Sequence, residues 1–154
     1  MTFNASATPS TAQASEDGYT FEPTYPGTQQ GIGANITVRG PRSQVVREHA
    51  RIKLQQAQAR DVAARRRGKP EPLSLDEVED SMIELATIYT MGWAGIESAP
   101  GQSLPFSEQA ARDLYRAHPW LRDQVIEEAQ ELGNFIKPSK NSSSSTPAPN
   151  SPST

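Results

Sequence analysis

Leu73-Ser74-Leu75-Asp76-Glu77-Val78-Glu79-Asp80-Ser81-Met82-Ile83-Glu84-Leu85-Ala86-Thr87-Ile88-Tyr89-Thr90-Met91 is the stretch on which the fold turns. Ser74 and Glu77 stand at the spacing of a capping box. There the serine oxygen and the glutamate carboxylate satisfy each other's backbone N–H groups at a helix start. Leu73 and Val78 are placed for a hydrophobic staple across that cap. Asp76, Glu77, Glu79 and Asp80 suit the positive end of a helix dipole. Val78, Met82, Leu85 and Tyr89 recur at spacings of four, three and four, with Ile83, Ala86 and Ile88 widening the stripe. The pattern predicts a central core helix over 75–91, ended by Gly92.

Upstream, Ser43 predicts a second helix start, and the pattern runs to about Arg67. Its apolar stripe of Val46, Ala50, Leu54 and Ala57 is narrow and rich in alanine. Arg47, Arg51, Lys53, Arg60 and Arg65 to Arg67 occupy its other faces. Gly68 and Pro70 stop it, and the late arginines suit the negative end of the dipole. Further upstream, Ala34 to Arg39 alternates apolar and polar side chains and predicts a short strand. Tyr19 and Phe21 alternate in the same way. A lone hairpin of these two segments would be marginal unless packed on helices.

Downstream of the central helix, residues 93–106 read as a loop. Its tip at Pro100-Gly101 is polar, and its shoulders Trp93, Ile96, Leu104 and Phe106 fold back on the core. Ser107 starts a short helix to about Arg116. His118-Pro119 breaks it, and a last helix over about 119–132 buries Leu121, Val125, Ala129 and Leu132. Gly133 ends that helix and Phe135 closes over it.

The expected fold is therefore mainly α. It is a small bundle of about four helices with a short N-terminal β segment and disordered tails. Residues 1–18 hold ten Ala, Ser or Thr, and the last 18 residues are mostly Ser, Pro and Thr. Neither stretch offers apolar surface to offset the entropy of ordering. The expected organisation is a disordered tail over 1–18, one domain over 19–135 and a disordered Ser/Pro tail over 136–154.

Hydrophobic residues make up only 34% of the 154, which fits a small core with appended tails. The chain has no cysteine, which excludes a disulfide framework, Cys-ligated metal and a thiol nucleophile. No apolar run reaches membrane-spanning length, and the start has no signal-peptide pattern, so a cytoplasmic protein is expected. His49 and His118, the only histidines, lie in different elements without partners at ligand spacing. Gly31-Ile32-Gly33 lacks the third glycine and the following helix of a phosphate loop. With no nucleophile, metal set or cofactor fingerprint, the chain reads as non-enzymatic, with no catalytic, cofactor or metal residues.

Charge carries more information. Residues 39–69 hold ten bases and two acids, whereas residues 70–134 hold three bases and thirteen acids. Such a split suits self-association or docking of a charged helical partner. The cluster Arg65-Arg66-Arg67-Gly68-Lys69 could also neutralise phosphates. However, the helix 43–67 shows no helix-turn-helix pattern and no aromatic residues between the bases.

The loop and its neighbours also carry a resemblance. Trp93-Ala94-Gly95-Ile96-Glu97, Gln102-Ser103-Leu104-Pro105-Phe106-Ser107-Glu108-Gln109-Ala110, Pro119-Trp120-Leu121 and Asn134-Phe135 occur in the order seen in tail assembly chaperones of long-tailed bacteriophages. Gly33 to Ser43, a short strand and a Gly-Pro-x-Ser helix start, is similar to the same family. Arg42 stands where the family pattern has an acid. The resemblance spans roughly 19–135. It implies a small, mostly helical factor of the host cytoplasm, absent from the finished virion, that binds the tape measure protein, keeps it soluble and recruits tail tube subunits. On that reading the partner-binding residues are Trp93, Ile96, Leu104 and Phe106, forming or buttressing a groove, and the basic face of Arg47, Arg51, Arg60, Arg65, Arg66 and Arg67. The alternatives are a small nucleic-acid-binding protein using helix 43–67, or a structural tail or head–tail joining protein.

Overall fold

Four serines start four of the helices. Ser10, Ser43, Ser74 and Ser107 each accept a hydrogen bond from a backbone N–H three residues on, satisfying a donor with no partner inside its helix. The computed structural model describes residues 2–136. Within them the order is α1 (Thr11–Asp17), β1 (Tyr19–Phe21), β2 (Asn35–Val38), α2 (Gln44–Arg67), α3 (Leu75–Tyr89), β3 (Thr90–Ala94), β4 (Glu97–Ala99), β5 (Gln102–Ser103), α4 (Glu108–Ala117) and α5 (Pro119–Gln130). A 3-10 turn over Leu132–Phe135 follows.

The architecture is mixed α/β rather than the expected mainly α bundle of about four helices. Five helices combine with two small antiparallel sheets, one of order β1-β2-β3 and one formed by β4 and β5. β2 is the middle strand. It pairs Tyr19 with Val38 and Phe21 with Ile36 on one side, and Ile36 with Trp93 and Val38 with Thr90 on the other. An irregularity in the β2–β3 register falls between Thr37 and Val38, as a bulge does when one strand carries an extra residue.

The central helix accordingly ends at Tyr89, earlier than expected. Arg39 N–H donates to the Tyr89 carbonyl at 2.8 Å, and the chain leaves the helix directly into β3. The expected loop 93–106 contains β4 and β5, where Leu104 N–H donates to the Ile96 carbonyl at 2.8 Å.

The core lies between the three-stranded sheet and α3, α4 and α5. Ile36, Val38, Ile83, Ala86, Tyr89, Ala111, Tyr115, Leu121, Val125, Ala129 and Phe135 are all buried. Phe135 closes this core as expected, with its ring edge-on to Tyr19 at 6.4 Å between centroids.

The expected N-terminal disorder is corrected as well. Residues 11–17 form α1, and Ser15 is fully buried although the helix offers little apolar surface. Polar docking holds it. Gly40 N–H donates to the Ser15 carbonyl at 3.0 Å, and Arg42 N–H donates to Ser15 Oγ at 3.3 Å. Glu16 Oε1 accepts from Gln44 N–H, the first residue of α2. Gly40 permits the approach, since a Cβ there would sit 2.4 Å from Ser15 Oγ and 2.8 Å from Phe135 Cδ1. Of the expected C-terminal tail, residues 137–154 lie outside the described residues.

Candidate interaction surfaces

α2 departs most from its expected packing. Of the stripe Val46, Ala50, Leu54 and Ala57, only Val46 is buried, and Leu54 is 60% exposed. The helix is seated on the core at its first turn. Beyond that it runs beside α3, held largely by ions. Lys53 Nζ lies 2.9 Å from Glu84 Oε2, and Arg60 Nη1 lies 3.5 Å from Glu77 Oε1; the His49 ring also sits against Glu84, its Nδ1 3.9 Å from Oε1. The two helices form an arm, α2 bearing seven bases and two acids and α3 five acids and no base.

Glu77 has two tasks in this arm. Its Oε2 accepts from Ser74 N–H at 2.8 Å, and Ser74 Oγ accepts from Glu77 N–H at 3.2 Å, which completes the capping box. Its other oxygen meets Arg60. The Ser74 backbone donor and then the Arg60 guanidinium hold its carboxyl below the usual carboxylate range. Glu84 is held low first by its hydrogen bond from Lys53. The expected staple buries little, since Leu73 remains 60% and Val78 39% exposed.

Between α2 and α3 lies an open cleft of about 870 Å³. Lys53, Ala57, Arg60, Leu73, Glu77 and Glu84 are among the residues lining it. Apolar and oppositely charged side chains therefore line one trough. Arg60 Nε is buried there without a hydrogen-bond partner among the described residues.

The expected basic face does not form one surface. On a 3.6-residue helix Arg47 and Arg65 share one side, whereas Arg60 and Arg67 share another. Arg60 points at α3. Arg51 pairs with Glu48, Arg65 with Asp61 at 3.1 Å and Arg67 with Glu71 at 3.7 Å. Arg47 and Arg66 make no ion pair among the described residues.

The other expected cluster does come together. Trp93 and Phe106 meet edge to face at 5.0 Å between ring centroids, and Trp93 Nε1–H donates to the Leu104 carbonyl at 2.8 Å. Trp93, Ile96 and Phe106 are partly buried against the core, and Leu104 is half-buried. Trp93, Ile96 and Phe106, with the Leu104 carbonyl, thus fasten the β4–β5 segment to the core.

Three features escaped the sequence reading. They are the α2–α3 cleft, an aromatic group in which Trp120 lies 6.1 Å from both Tyr25 and His118, and an apolar stripe on the outer side of α2. The seven-residue spacing of Val45, Ile52 and Ala59 was the available signal for the stripe. Among the described residues no group of three or more His, Asp or Glu could hold a metal ion. No helix among them is long and apolar enough to cross a membrane.

The structure thus defines a small mixed α/β protein carrying a charged helical arm. The YdaY prophage protein family matches residues 38–143, and the chain belongs to that family. It is a prophage protein. No curated protein and no solved structure matches it.

Proposed function

We propose that this prophage protein is a tail assembly chaperone that binds the tape measure protein, keeps it soluble and helps recruit tail tube subunits. The observation that carries the reading is the α2–α3 cleft. It is open, runs between two helices, and is lined by apolar and oppositely charged side chains. An unassembled rod-like helical client exposes stripes of that kind, and a helix laid in a groove is the matching recognition mode. Phage origin and the motif order around Trp93 support the same reading. Trp93, Ile96, Leu104 and Phe106 act in it by fastening the hairpin to the core or by touching the client. The work is non-enzymatic, takes place in the host cytoplasm and leaves no copy in the virion.

Co-expression with the tape measure protein of the same prophage tests it. The full chain is expected to bring the client into the soluble fraction and to co-elute with it in several copies. Leu73→Asp, at an exposed position in the cleft, is expected to lose the client while keeping its helical circular dichroism. A client that stays insoluble beside the wild-type chain overturns the reading, and so does the presence of this chain in purified particles. Steeply salt-dependent binding to random duplex would point instead to nucleic acid.

A further inference from the structure

Trp120, Tyr25 and His118 form an aromatic platform at the start of α5. The indole lies 6.1 Å from each of the other two rings, between centroids. Trp120 rests partly on the core, whereas Tyr25 is 44% exposed and His118 is exposed. The platform is held in place from below. Gln124 grips Thr24 at both backbone groups, accepting from its N–H at 3.0 Å and donating to its carbonyl at 2.7 Å. Tyr25 N–H donates to the Gln30 carbonyl at 3.0 Å, and the Tyr25 carbonyl accepts from Thr28 N–H at 3.1 Å. The turn that carries Tyr25 is thus fastened to α5 four residues from Trp120, on the same side of the helix. Rings fixed before a ligand arrives lose little entropy when it binds.

Exposed aromatic rings set side by side are the surface on which proline-rich segments dock, because the stiff polyproline II backbone has little freedom left to lose. The chain supplies such a segment itself. Eighteen residues follow Ile136, and Thr146-Pro147-Ala148-Pro149-Asn150-Ser151-Pro152 lies among them. Residues 141–154 include no charged side chain, so no charge has to be desolvated against the rings. In polyproline II form Pro149 and Pro152 would stand on one edge, a turn and about 9 Å apart.

The reach is sufficient. Asn134 Nδ2 donates to the Glu128 carbonyl at 2.9 Å, so the last described turn folds back beside Glu128. That point is eight residues and about 12 Å along α5 from Trp120. Pro147 follows Asn134 by thirteen residues, which extend up to roughly 43 Å. A tether that spans the gap with slack to spare keeps the segment near the rings at an effective concentration in the millimolar range. A contact too weak to capture a free peptide is then occupied within the chain.

We propose that residues 147–152 dock on the Tyr25–Trp120–His118 platform of the same chain, with Pro149 and Pro152 against the rings. The contact ties the C-terminal segment to α5. It goes beyond the client reading and does not depend on it, since no residue of the α2–α3 cleft takes part.

The chain has no cysteine, so Ser153→Cys gives a single attachment point for a nitroxide on the full chain. Paramagnetic broadening of the two indole N–H resonances then reads where the segment sits. Trp93, whose indole N–H is bonded to the Leu104 carbonyl, serves as the internal reference. The Trp120 indole and the Tyr25 amide are expected to broaden strongly in dilute solution, while the Trp93 indole keeps its intensity. Pro149→Ala combined with Pro152→Ala is expected to return the Trp120 intensity to that of Trp93. Tyr25→Ser, at an exposed position, is expected to do the same with unchanged circular dichroism. Equal, weak broadening of both indoles in every chain overturns the proposal, since the segment then ranges without docking. Broadening that survives the loss of both prolines overturns it too, because the rings are then not reading proline. Mixing spin-labelled chains with isotope-labelled ones separates the copies. Broadening carried between chains rather than within one overturns the proposal and gives the platform to a second copy. None of these readouts uses the tape measure protein, so their failure leaves the client reading standing.

Discussion

Tyr115 and Thr90 show what one polar contact does inside this core. Thr90 Oγ1–H donates to the Ala86 carbonyl at 2.8 Å, which leaves its oxygen to accept from the Tyr115 hydroxyl at 2.6 Å. The pair fixes the helix end where α3 becomes β3. Burial pushes the Tyr115 hydroxyl up to about 12 from 10.0. A folded-state pKa raised above the unfolded value adds stability that is fully present below the unfolded pKa. It is lost as pH rises through the folded one. Over two units the linkage is roughly 2–3 kcal/mol. Tyr115→Phe is expected to cost about 1 kcal/mol at neutral pH through the lost bond, yet to escape much of the alkaline loss. Urea unfolding of both proteins at neutral pH and between the two pKa values checks this. A gap between them that is the same at both would show that Tyr115 does not titrate into the fold.

Elements differ in how far their own residues announce them. Ser43, Ser74 and Ser107 were legible because a cap is a local bargain between one side chain and a backbone donor three residues on. The β2 strand was legible from its alternation, and the close of Phe135 from its place after the last helix. β3 was not. Thr90-Met91-Gly92-Trp93-Ala94 has little alternation, and what makes it a strand is its pairing with Asn35 to Val38, more than fifty residues earlier. α1 was illegible for the same reason. Its sequence is poor in apolar residues, and it is ordered by a close approach to Gly40 that composition does not reveal. The α2 stripe misled because a helix can carry a 3.6-residue pattern and still leave the core after its first turn. Two changes test the docking of α1. Deleting residues 2–17 removes the partners of three backbone donors, at Gly40, Arg42 and Gln44, and is expected to lower stability by roughly 2 kcal/mol or more. Gly40→Ala keeps the helix but forces Ser15 or Phe135 to move, at a cost of roughly 1–3 kcal/mol. Chemical denaturation measures both, and an idle N-terminus would leave the midpoint of the deletion unmoved, while Gly40→Ala would still report the approach of Phe135.

At the scale of the whole molecule, stability is distributed unevenly. The sheet, α4, α5 and the second half of α3 share one buried apolar cluster. The arm is held beyond its base by Lys53–Glu84 and Arg60–Glu77. Exposed ion pairs of this kind each contribute little and are screened by salt. On the proposed chaperone reading their arrangement suits a surface that opens to a client, because opening breaks only a few weak ion pairs. Glu77 and Glu84 have folded pKa values held below 4.5. A depressed carboxylate adds stability that is present above the unfolded pKa and is lost as pH falls through the folded one. The arm is therefore expected to loosen in mild acid before the core does. Hydrogen exchange followed by residue should find the amides of α2 from about Arg51 onward the least protected of any helix in the apolar body or arm. Their protection should fall further with added salt or with a drop below pH 4.5, while Tyr115, Val125 and Ala129 keep theirs. Equal protection along α2 and α5 in low and high salt would mean that the arm opens only with the whole fold. On the proposed chaperone reading the cleft would then admit a client only by fitting it as it stands.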